Sequence, residues 1–160
     1  MKEVFVMLEF HSTSFFPGLA KNNHKKMLFL SRSMFVFALG GCAYYLLEIA
    51  YRGRSHYSMF LCGGICLCGL YMIHRICRHN FAVYRWILGS MLITVVEFWC
   101  GVIVNLIFDL GVWDYSHIPY NLLGQICLPF CAVWFFLCIP ADILCGALQT
   151  LFSPKKQRKV

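Results

Sequence analysis

The chain has 160 residues, of which 60% are hydrophobic and only 13% charged, with a mean hydropathy of +0.68 and a formal net charge of +7. Soluble domains carry about a quarter charged residues and under half apolar ones, so 21 charged side chains cannot keep this chain in water. Disorder, a coiled coil, a nucleic-acid module and any sizeable soluble catalytic domain such as an ATPase are excluded; a small polytopic membrane protein remains.

Residues 1–27 are expected to be a cytoplasmic leader, interfacial or disordered. They do not read as a secretory signal, because the apolar run Val4 to Phe10 holds Glu9, His11 follows it, and Pro17-Gly18 breaks it. Met27 is a second candidate start, since the membrane pattern begins there. A helix needs about 20 mostly apolar residues to cross a hydrocarbon core of about 30 Å. Four stretches qualify, at about 28–51, 57–74, 86–108 and 122–139. The runs are continuous and not alternating, so they predict helices and not a barrel. The fold class is therefore an all-α membrane protein, a bundle of four transmembrane helices.

Lys and Arg set the orientation. With both termini cytoplasmic, twelve positive residues lie inside and two, Arg52 and Arg54, outside, while the connection Asp109 to Gln125 has none. The positive charge then marks topology and anionic headgroups, with no nucleic-acid partner. After the last span, Pro140-Ala141-Asp142 reads as a helix start. Ile143, Leu144, Ala147, Leu148 and Leu151 share one face, so residues 140–160 are expected to be a cytoplasmic amphipathic segment with a basic tail.

Two segments align without gaps, Ser55 to Leu67 against Ser116 to Leu128, with seven of thirteen positions identical. Upstream of each, a Gly stands eight residues before a Glu: Gly40 with Glu48, and Gly89 with Glu97. The implied unit is a helical hairpin, duplicated in one orientation, as in one plan of transport proteins.

Glu97 lies near the middle of its span, where an ionised carboxylate costs about 3 kcal/mol or more. It must be protonated, paired or facing a wet cavity. Gly101 and Asn105 follow at one-turn intervals on the same face, where glycine admits a neighbouring helix and Asn bonds across. Two readings stand for these groups: structural glue within a small bundle, or an ion or substrate path with Glu97, Asn105, Glu48, Asn121 and Gln125 as candidates. Glu48 and Arg52 have ion-pair spacing, and Asp114 is expected to pair with Arg52 or Arg54 and tie the hairpins together. Asn121 and Gln125 are expected on one face of the last span. Trp113, Tyr115 and Tyr120 suit the headgroup belt.

The ten cysteines include no Cys-x-x-Cys pair and the six histidines no zincin motif, so they are read as packing and boundary residues, with no metal or cofactor. No phosphate loop or nucleophile elbow occurs. An enzyme is not expected, because no nucleophile or metal set accompanies Glu48, His56 and Asp114.

The segments Gly40 to Glu48, Tyr51 to Met59 and Gly63 to Cys66, with Glu97 to Asn105, Val112-Trp113-Asp114-Tyr115-Ser116, Asn121 to Pro129 and Trp134, resemble the small bacterial integral membrane proteins of the ABC-transporter type IV (CmpB-like) family. The likeness runs from about Met34 to Leu137. It implies a multi-pass protein of the bacterial plasma membrane and a permease-like subunit without its own ATPase. The partners implied are the lipid bilayer, a separate ATPase subunit or another membrane protein, and a second copy of the chain. The alternative is a non-transporting scaffold or adaptor that binds another membrane protein.

Overall fold

The computed structural model describes residues 17–153, with side chains from Lys26 onward. The leader up to residue 16 and the basic tail from residue 154 lie outside the described residues. The chain divides into two compact units at Phe35. In the first, the described part is helix, and Met27, Phe29, Leu30 and Met34 are exposed. Everything that follows concerns the second.

Helix α1 (Pro17–Arg52) ends where Gly53 turns left-handed at φ 72° and its N–H closes the last turn on the Ile49 carbonyl at 2.8 Å. Helix α2 (Tyr57–Ile76) starts after His56, whose ring accepts the Ser58 N–H at 3.3 Å and so caps the first turn. Helix α3 (Ala82–Gly101) continues as a wider π-helical turn, Val102–Ile107, in which the Phe108 N–H reaches five residues back to Ile103. Two short antiparallel strands follow, β1 (Asn121–Leu122) and β2 (Ile126–Cys127). Their turn places Leu123 and Gly124 at positive φ, the backbone signature of mirror-image hairpin turns. Helix α4 (Leu128–Phe152) completes the chain.

All four helices are long and apolar enough to span a bilayer. Their outward faces carry Leu46, Met91, Phe136 and Leu151, each more than 60% exposed, a surface suited to lipid and not to water. Inside, α3 packs against α2 and α4, and α2 against α4. Val36, Leu67, Leu70, Ile93 and Trp134 form the core with four cysteines, Cys62, Cys66, Cys138 and Cys145, filling small gaps between helices. The closest approach is glycine on glycine. A Cβ on Gly40 would lie 2.6 Å from the Gly63 carbonyl oxygen, and one on Gly63 2.7 Å from that of Gly40. Small residues let these two helices meet backbone to backbone, which is how packing replaces the hydrophobic effect in lipid.

The last span differs from expectation at both ends. It begins at Leu128 and not at 122, because the left-handed turn at Leu123-Gly124 sends residues 121–127 into the hairpin. It runs through Pro140 to Phe152, so residues 140–152 form no separate helix. Pro140 removes one backbone donor, but an apolar helix held by its neighbours tolerates that loss. The aligned repeat also takes two local forms: residues 57–67 are helical, whereas 118–128 pass through the hairpin. The two helical hairpins share a plan and their connections diverge.

Candidate functional site

The segment between the π-helical turn and α4 folds back onto the end of the bundle. Trp113 and Tyr115 alternate with Asp114 and Ser116, as an extended backbone requires, so the first pair turns inward and the second outward. Trp113 is 6% exposed and donates its indole N–H to the Gln125 carbonyl at 3.0 Å. Tyr115 stacks on Phe130 with ring centres 4.6 Å apart. Both are network members and not belt residues, whereas Tyr120 is exposed.

Glu97 is 3% exposed. One carboxylate oxygen accepts the Trp134 indole N–H at 2.6 Å; the other accepts the Tyr115 hydroxyl at 3.4 Å. Both donors are neutral. Two turns along the same face, Asn105 donates to the Gln125 side-chain oxygen at 2.7 Å and to the Trp113 carbonyl at 3.0 Å, and accepts the Val112 N–H at 2.8 Å. Gln125 spends its own amide N–H on the Leu123 carbonyl at 3.0 Å. Gly101 lies between the two groups because nothing larger fits: a Cβ there would stand 2.5 Å from the Gln125 oxygen and 3.0 Å from the Trp113 ring. Glu97, Gly101 and Asn105 therefore share one buried face, and Gln125 joins them from the hairpin.

The other sequence candidates lie elsewhere. Glu48 pairs with Arg52 one turn on and accepts the Ser55 hydroxyl at 2.5 Å. Arg52 also donates to the Val112 carbonyl at 3.0 Å. Asp114 corrects the expectation set for it: it pairs with neither Arg52 nor Arg54. Its carboxylate accepts the backbone N–H of Ser116 at 2.8 Å and the Ser116 hydroxyl as well. A bond two residues away orders less chain than one across the bundle, and Arg52 already has its carboxylate. The hydroxyl, then the N–H, of Ser116 hold the Asp114 carboxyl below its usual range. Burial, then the Glu97 carboxylate, push the Tyr115 phenol above its own. The hairpins are thus tied through Arg52 and a main-chain carbonyl. Asn121 is exposed and does not share a helical face with Gln125, since both precede α4. It braces the turn, donating to the Ile118 carbonyl at 2.7 Å and accepting the Gly124 N–H at 3.1 Å.

One cluster escaped the sequence reading. At the opposite end of the helices Arg85 grips Asp142 in a two-pronged pair at 2.8 and 2.9 Å, and His74 meets the same carboxylate at 2.5 Å. Asp142 had been taken for the first turn of a surface helix and Arg85 for a topology marker. The signal was the interruption of an otherwise apolar helix by one acid, with a basic residue one turn inside the facing helix.

Among known proteins, neither the curated proteins nor the solved structures hold a match to this chain. The model of the family described as putative ABC-transporter type IV matches residues 35–153, which contain both polar clusters and all of α2, α3 and α4, and the chain belongs to that family.

Proposed function

We propose that the protein is a permease-like membrane subunit, without catalytic activity of its own, that works with a separate ATPase in the bacterial plasma membrane. Its termini face the cytoplasm, as the distribution of Lys and Arg argues. The observation that carries the reading is Glu97: a carboxylate at 3% exposure, deep in a spanning helix, with two neutral donors and no cation bonded to it. Such a group holds a proton or receives a cation, and both are steps of an ion or substrate path. Four helices enclose little wall around a path, so the working unit is a dimer or a larger assembly.

Substituting Glu97→Gln keeps the shape and removes the charge. Growth or uptake in the native host is expected to fall while the variant still expresses and folds; a wild-type phenotype would sink the role given to Glu97. Affinity capture in mild detergent is expected to recover an ATPase subunit. Recovery of a membrane enzyme or receptor alone would favour the second reading, a non-transporting adaptor. That reading draws on the closure of the network: the side chains of Asn105 and Gln125 both find partners within the chain, as structural glue would.

A further inference from the structure

A separate polar cavity, about 190 Å³ in volume, opens between the α1–α2 turn and the 110–112 segment. Arg52, Arg54, Ser55, His56 and Val112 contribute to its wall. Its electrostatics follow from the bonds already described. Glu48 offsets Arg52 and also takes the Ser55 hydroxyl, so the one acid bonded here is already engaged. Two bonds, to Glu48 and to the Val112 carbonyl, hold the Arg52 guanidinium in place and use only part of its five-donor fork. Arg54 is exposed and adds a positive charge beyond that balance. The His56 Nδ1 accepts the Ser58 N–H at 3.3 Å, which leaves the ring proton on Nε2 as a further donor. The N-terminus of α2, a 20-residue helix, adds the positive end of its dipole beside the cavity.

We propose that this cavity binds a phosphate group, a free phosphate or the phosphodiester of a lipid headgroup, between Arg52, Arg54 and His56. Two guanidinium forks and an imidazole N–H approaching from separate chain segments suit an anion with several acceptor oxygens better than a planar carboxylate, which one fork satisfies. The cavity sits where two spanning helices end, the depth at which lipid phosphates lie. This site does not depend on the chain being a transporter.

The test uses the full chain in maltoside micelles, which contain no phosphate, with two probes in separate arms: inorganic phosphate and a short-chain phosphatidylglycerol. Two variants accompany the wild type. Arg54→Gln removes the exposed charge, and Gly111→Asp places a carboxylate at the cavity wall, where a Cβ meets nothing within 4 Å. Asp also accepts the left-handed backbone there, at φ 54°. Each variant is expected to weaken binding about tenfold or more, the effect of one charge-assisted bond. Loss in the phosphate arm assigns a free anion, and loss confined to the lipid arm assigns a headgroup. Wild-type protein that binds neither probe, or variants that bind as the wild type does in both arms, would overturn the proposal.

Discussion

Replacing Trp134 by alanine is expected to lower the unfolding free energy of the bundle in mixed micelles by about 3–5 kcal/mol, the range for removing a buried Trp or Phe side chain. Trp134 is 8% exposed, lies 6.0 Å from the Tyr44 ring and 6.1 Å from that of Phe130, and donates to Glu97 at 2.6 Å. The substitution thus opens a cavity between α1 and α4 and leaves the carboxylate with only the longer Tyr115 bond. Trp134→Phe separates the two effects. It keeps most of the packing and removes the N–H, and is expected to cost about 1–2 kcal/mol. Circular dichroism during denaturation in a graded detergent series measures both. Equal losses from the two variants would mean that packing contributes nothing beyond the hydrogen bond, against the geometry described.

The second large effect is expected at the opposite end. Asp142→Ala should cost about 3 kcal/mol, because it leaves the Arg85 guanidinium, 13% exposed at its side chain, without a carboxylate. The single partner then left to it is the Asn80 carbonyl at 3.0 Å. Arg85→Leu combined with Asp142→Leu is expected to recover most of the loss, since a buried pair replaced on both sides leaves no stranded charge. The cycle of single and double variants should give a coupling of about 1–3 kcal/mol; additive losses within about 0.5 kcal/mol would show that the pair is not coupled. The position matters for α4 as a whole. Pro140 gives up a backbone bond two residues before Asp142, and the anchor to α3 holds the helix beyond that point.

The chain's hydrophobicity settled the environment, and its uninterrupted apolar runs settled the number and type of spans, because length and composition alone decide whether a helix can cross a bilayer. Local spacing placed Glu48 with Arg52, and Glu97, Gly101 and Asn105 on one face, since both relations arise within a single helix. The partners of those groups were of another kind. Trp134 is 37 residues from Glu97 and Asp142 is 57 from Arg85, and neither separation carries a period that a helix would display. The hairpin at 121–127 was hidden for a related reason: its residues are as apolar as the span they precede, and only the left-handed turn at Leu123-Gly124 stops the helix from starting early. Asp114 showed the same limit, its charge suggesting a distant arginine while the folded loop offered Ser116 two residues away. Composition and periodicity act along one helix at a time; which buried acid meets which donor is decided where the helices cross.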